Sequence, residues 1–473
     1  MAELQNEKQR EGKPRSTPVI DTPPDILSHS VRSGLVRLAI PALAEQLLLA
    51  LVGYCDTYFA GTLSAETTAA VGLGSYVGWL VTMIFGLVGT GATALVARNI
   101  GAAKQGQANH FFNQAVIQAV LLGGVMAVTM WYLAPLICRA QNLDAEAISI
   151  ALVYLRIDSI TYPAGSVLLA ATASLRGAGD MKTPLRIMAV VNLLNVVVTA
   201  LLVYGLGPFP ELGVKGIILG TLIARYVGLA LILLQLLKGR SGLRFSLGEL
   251  RPVARSMRRL LTVGVPAALD GVLLWGGHFV FLMMITRLGN IGEGVPFLAA
   301  HYIVVRVESI TFLPAAAWSM AAATLVGQGL GAGRPGFAAR AGHHAALQCA
   351  LLSSVLAVAF YFAAPTLFSL LSNDARVHEI GVPTLRLIAF VQPALAMMII
   401  YSGALRGAGD TRTPLAINIL GVFIVRLPVA YFFGVVLDGG LVGAWVGTAL
   451  DLSVRGLLTN WRFSSGRWQG IRV

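Results

Sequence analysis

The stretch LRGAGDMKTPL at residues 175–185 returns almost letter for letter as LRGAGDTRTPL at residues 405–415. Two copies of a basic, glycine-rich stretch about half a chain apart point to a duplicated architecture. Other pieces repeat in the same order: TALVARNIGA at 93–102 with TLVGQGLGA at 324–332, LRIDSITYP at 155–163 with LRLIAFVQP at 385–393, and GVKGIILGT at 213–221 with GLVGAWVGT at 440–448. In each copy of the motif the glycines permit a tight turn after a helix. Asp180 or Asp410 can accept from backbone N–H groups, and Pro184 or Pro414 suits the first turn of the next helix.

The halves sit in a chain built for a bilayer. It has 473 residues, 56% hydrophobic and 12% charged, with a mean hydropathy of +0.74, well outside the composition of a soluble domain. Roughly twelve apolar runs reach the 20 or so residues that a membrane crossing needs. They lie near 34–60, 66–96, 110–136, 146–174, 184–205, 214–237, 260–286, 296–326, 344–371, 380–404, 415–436 and 440–459. Each copy of the motif follows the fourth span of a group of six, so the halves share one orientation and form a parallel repeat. The expected fold is an all-α, polytopic membrane protein with two six-helix lobes, residues 31–237 and 260–460. A flexible tail (1–30), a basic linker (238–259) and a second tail (461–473) complete the chain.

The formal net charge is +13, but the basic residues cluster in alternate loops, most densely at Lys238, Arg240, Arg244, Arg251, Arg255, Arg258 and Arg259. That is the positive-inside bias of a cell-membrane or inner-membrane protein with both termini cytoplasmic, and it argues against nucleic-acid binding. No secretory signal follows the early lysines. Cys55, Cys138 and Cys349 suggest neither a disulfide framework nor a metal cluster. The repeated GAGD lies in a basic loop before a proline, unlike the GxGD of intramembrane aspartyl proteases. GQGLGAG at 327–333 lacks the strand-turn-helix setting of a dinucleotide site.

Several phrases, in order and spacing, carry a resemblance: LAIP with DTYFAG in the first span, GATALVARNIGA after the second, the two RGAGD loops, NVVVTALLVYG in the fifth span and LVGQGLGAG after the eighth. From about Leu38 to Trp468 the sequence resembles the multidrug and toxic compound extrusion family. The resemblance implies a V-shaped pair of lobes around a central cavity, exporting organic compounds against inward H+ or Na+.

Ionisable groups within spans are costly and therefore informative. Glu45 and Asp56 are eleven residues apart on the first span, which puts them on nearly one side, about 16 Å apart along the axis. A carboxylate withdrawn from water can hold a proton and release it where water or a basic group arrives. The resemblance makes Asp56 the cation-coupling carboxylate and places Asn195 and Thr221 in the same site. Thr199, one turn beyond Asn195, stands where some members carry a second aspartate. This departure favours H+ over Na+, with Na+ at Asp56 and Asn195 as the alternative.

In the second half Asp270 follows Pro266 as Glu45 follows Pro41, but Phe281 stands where Asp56 has its counterpart. The seventh- and tenth-span acids of the family's NorM-like branch correspond to Leu274 and Leu395. Coupling is therefore expected in the first half. His301 and Glu308 share one face of the eighth span, and Asp451 and Arg455 have i, i+4 spacing. Asp270, Glu308 and Asp451 balance Arg306, Arg426 and Arg455, which suits a neutral structural network; alternatively Glu45, Asp270, His301 and Glu308 line the substrate pathway. The expectation is a secondary active exporter of organic cations, not an enzyme, without a cofactor, acting as a monomer in the lipid bilayer. The competing function is a flippase for lipid-linked oligosaccharides, of the related superfamily, which calls for a strongly cationic cavity.

Overall fold

The computed structural model describes residues 30–140, 144–239, 242–288 and 294–471. The expected tail over 1–29, linker residues 240–241 and Arg472 lie outside the described residues. Every regular element among the described residues is helical. The first half contains α1 (Val31–Leu63), α2 (Ala65–Gly101), α3 (Gln105–Arg139), α4 (Ala145–Gly177), α5 (Lys182–Tyr204) and α6 (Val214–Leu237). The second contains α7 (Ala254–Ile285), α8 (Gly294–Gly331), α9 (Pro335–Leu371), α10 (Ala375–Ala389 and Gln392–Ala408), α11 (Arg412–Val436) and α12 (Gly440–Ser464).

Ten of these are long and apolar enough to cross a membrane as single helices, and α10 joins them as a pair bent by 55°. The remaining long helix, α4, carries Glu146, Arg156, Asp158 and Arg176 along 33 residues. The expected span at 380–404 is thus broken, whereas its repeat partner at 146–174 runs straight through Pro163. A proline removes one ladder donor, so the helix around it relies more on other bonds. In α4 the Ser159 and Thr161 hydroxyls bond to the Arg156 and Asp158 carbonyls at 2.6 and 2.7 Å, and Tyr226 on α6 donates to the Ile160 carbonyl at 3.0 Å. The matching positions in α10 are Ala389 and Val391, which have no hydroxyl. There Phe390 and Val391 turn with tight bonds to Leu387 and Ile388 before Pro393 starts the next helix.

In α11 two π-helical stretches, Leu420–Arg426 and Phe432–Val436, replace part of the α ladder. A π turn shifts which residues share a face. Here Arg426 closes the first stretch and reaches Asp451 on α12.

The basic linker is packed against α3. Asn109, Asn113 and Gln114 on α3 tie it down through backbone hydrogen bonds to Arg244, Ser246, Arg251 and Val253 at 2.8 to 3.1 Å, and α7 begins at Ala254. Asn113 and Gln114 are fully buried, so these bonds satisfy amides that would otherwise be stranded.

The halves meet closely near the repeated loops. On α1, Leu35, Leu38, Ala39 and Ala42 share a core with Ala317, Trp318 and Ala321 of α8, while Phe59 and Ala60 pack with Val71, Tyr154 and Ile217 of the first half. The α2–α7 crossing is reciprocal: Gly91 lies against the Leu260 backbone and Gly264 against the Leu87 carbonyl. Small residues let such backbones approach. Gly264→Ala drives a methyl group into that carbonyl, and the expected cost is about 1–3 kcal/mol of stability. Thermal unfolding in detergent checks this, and an unchanged midpoint counts against the close approach.

Candidate coupling site and its charged neighbours

Both copies of the repeated motif turn the chain at a left-handed glycine, with φ of 92° at Gly179 and 90° at Gly409. Asp180 Oδ1 accepts from the backbone N–H groups of Lys182 and Thr183 at 3.0 and 2.9 Å. Asp410 caps Thr413 in the same way and also holds Arg462 at 2.7 Å.

The arginine of each motif has a partner that sequence reading missed. Arg176 binds Glu45 at 2.8 Å, and Arg406 binds Asp270. Each carboxylate lies four residues after a helix proline, Pro41 or Pro266, and each is almost fully buried. The signal was present, because acid and arginine repeat together at matching positions. Glu45 and Asp270, expected along the substrate pathway, are therefore each in contact with a fixed positive charge. The Arg176 and Gly177 carbonyls also accept from Thr324 at 2.9 Å and Gln328 at 3.0 Å of α8, which joins the halves at this end of the molecule.

In the first half, Asn195 and Thr199 of α5 face Thr221 and Gly220 of α6, and Asp56 on α1 lies within electrostatic reach of Arg225, also on α6. Asn195 Nδ2 on α5 donates to Thr221 Oγ1 on α6 at 3.0 Å. The Thr221 hydroxyl in turn points back to the Ile217 carbonyl. Asp56 Oδ1, Asn195 Oδ1 and Thr199 Oγ1 are all buried without a hydrogen-bond partner. Buried polar atoms are normally paired, so a carboxylate, an amide oxygen and a hydroxyl left open in the same half are candidate contacts for a bound group. An oxygen set of this kind suits a proton or a hard cation.

Two further charges belong to this cluster, neither anticipated from the sequence. Asp158 on α4 pairs with Arg225 on α6 at 3.2 Å, and both lie within electrostatic reach of Asp56. Thr161 bonds to Asp158 Oδ1 at 3.2 Å and also accepts from Arg225. Arg225 is four residues after Thr221 and so shares its face, which was the available clue. With both acids ionised, Asp56, Asp158 and Arg225 leave one net negative charge.

The second half is organised differently. Asp451, wholly buried, binds Arg455 at 2.6 Å and Arg426 at 2.7 Å. Arg455 also donates to Asn418 Oδ1 at 3.0 Å, and Asn418 Nδ2 to Asp270 Oδ1 at 2.6 Å, so the chain of contacts runs on to Arg406. Arg306 stands outside this network, 4.1 Å over the Tyr54 ring of α1. Two acids thus face three arginines, and Glu308 lies within electrostatic reach of Arg426 and Arg455 without bonding to either. The membership differs from the expected one: Arg406 belongs to the network and Arg306 does not.

Glu308 is half-buried and has no hydrogen-bond or ion-pair partner among the described residues. His301 is 1% exposed, both ring nitrogens are unpartnered, and Phe281, His278 and Trp445 surround it with ring centroids 5.4 to 5.8 Å away. It does not touch the Asp451 network through a hydrogen bond.

Among the described residues, ten long apolar helices, one bent pair and α4 form two related halves, with Asp56 and the Asp158–Arg225 pair within the first, and this defines a multi-pass membrane transporter. The MatE family model matches residues 41–201 and 266–432, and the chain belongs to that family. It is 30% identical over 441 residues to a probable multidrug resistance protein NorM of Thermotoga maritima, covering 93% of each chain. It is 25% identical over 417 residues to a FAD transporter of Shewanella oneidensis, covering 88% of this chain and 90% of that one. Its fold matches an outward-facing multidrug resistance MATE transporter of the MOP superfamily with a TM-score of 0.86 at 21% identity, over 96% of this chain and 100% of the other.

Proposed function

We propose that this protein is a secondary active multidrug exporter of the cell membrane, moving organic cations outward against inward H+. The reading rests on one observation: the Asp56 carboxylate oxygen is buried and unpartnered within electrostatic reach of the Asp158–Arg225 pair, a group carrying one net negative charge when both acids are ionised. One such charge neutralises a proton or a cationic compound, but not both. Occupation by either changes the affinity for the other, and that mutual exclusion is the coupling. The dense basic loops support an arrangement with the repeated-motif end and both termini on the cytoplasmic side. A single copy carries the whole cycle.

The test uses purified protein in sealed vesicles loaded with a fluorescent organic cation. An inward proton gradient imposed without sodium should drive efflux, and collapsing that gradient with a protonophore should stop it. Efflux that ignores the proton gradient, or a transfer of lipid-linked sugar between leaflets in its place, overturns the reading.

A further inference from the structure

We propose that Arg225 makes the Asp56 site selective for H+ over Na+, as a built-in cation held by Asp158 within electrostatic reach of Asp56. The inference rests on the coupling role of Asp56 and assigns a function to a pair that the coupling scheme alone does not use.

The argument begins with who faces whom. Asp56 comes from α1, Tyr154, Asp158 and Tyr162 from α4, and Arg225 from α6; α5 contributes only the uncharged Asn195 and Thr199. Asp158 is the fixed member of its pair, with a side chain 7% exposed and a hydrogen bond from Thr161, whereas the Arg225 side chain is 36% exposed. A guanidinium stays charged under all working conditions and carries five donors in a planar fork. It can therefore hold Asp158 while turning its remaining donors toward Asp56 whenever Asp56 is ionised.

A metal cation and a proton meet this arrangement differently. Sodium must keep its whole charge and collect oxygen ligands beside a second full positive charge. Of the nearby oxygens, that of Thr221 is already engaged with Asn195. A proton disappears into the O–H bond of the carboxylic acid. Asp56 becomes neutral, Arg225 settles on Asp158 and Thr161, and no two cations are left side by side. Arg225 thus does for the ionised site what sodium would otherwise do, and it cannot diffuse away.

Arg225 is a positioning residue, so its test reads ion choice as well as rate. The pair is removed as a unit with Arg225→Gln plus Asp158→Asn, which keeps hydrogen-bonding groups on both helices and leaves Asp56 as the local charge. Arg225→Lys keeps the cation. Sodium binding is read by the sodium-dependent rise of the thermal unfolding midpoint in detergent at fixed ionic strength, with choline as the replacement ion. Ion choice is read by efflux under separate sodium and proton gradients. The unaltered protein and Arg225→Lys should show no sodium-specific stabilisation and no sodium-driven efflux. The double variant should gain both, with the ratio of sodium-driven to proton-driven efflux rising about tenfold or more, within the range of coupled sites. A folded double variant still blind to sodium, or an unaltered protein that sodium stabilises as strongly as the double variant, overturns the role of Arg225. Either result leaves the coupling reading standing as long as Asp56→Asn abolishes proton-driven efflux. Full efflux by Asp56→Asn removes the coupling reading itself.

Discussion

Asp56→Asn should insert and fold normally yet lose proton-driven efflux. The substitution keeps the shape of the side chain and makes it neutral for good, so the site is held in the state that a bound proton would give it. Neighbours tolerate the change: Asp56 has no arginine bound to it directly, and Arg225 keeps Asp158 and Thr161 as acceptors. Stability measured by thermal unfolding should therefore change little. What disappears is the alternation between proton and organic cation. Coupling free energies between linked sites run at about 1–3 kcal/mol, or about 5–150-fold in affinity, so organic-cation binding should cease to weaken as pH falls. Efflux under an imposed proton gradient should drop to the level of protein-free vesicles, while downhill exchange of the organic cation can persist. Retention of full proton-driven efflux sinks the assignment.

The overall plan was readable because it is written in features that a single chain displays. Apolar runs give the spans, and two near-identical turns give the duplication. Partnerships across helices were harder. Asp451 and Arg455 were legible because i, i+4 spacing puts both on one helix face. Arg176 with Glu45, Arg406 with Asp270 and Arg225 with Asp158 each join helices far apart in sequence, and no local period reports such pairs. The Asp158–Arg225 pair has a further reason for escaping notice. Asp158 lies within a repeated segment whose second copy has Ile388 at that place, so attention to the repeat favoured what the copies share. The break in α10 was hidden for the opposite reason: both copies contain the same proline, Pro163 and Pro393, and only the second half bends there.

Asp451→Asn should be the most destabilising single change in the second half. Its two carboxylate oxygens receive the Arg455 Nε and Nη2 bonds at 2.6 Å and the Arg426 Nε bond at 2.8 Å, and the residue is 0% exposed. Such a pair is weak evidence of net stabilisation, since three ions have been taken out of water. Removing one partner is another matter, because two guanidinium groups are left facing one another without their anion. Breaking a buried pair in this way costs about 3–5 kcal/mol. Asp451→Glu should rescue poorly, because Gly421 on α11 packs directly against Asp451 and Arg455, which leaves no room for another methylene. Pairing Asp451→Asn with Arg426→Met should recover part of the loss, since one stranded charge goes with its former partner. The midpoint of thermal unfolding in detergent ranks the three variants, and efflux normalised to folded protein separates stability from transport. A network that only holds α11 to α12 predicts a lowered midpoint with near-normal efflux per folded molecule. An unchanged midpoint with efflux lost would place Asp451 in the transport pathway, and the structural role argued from its two arginines would be wrong.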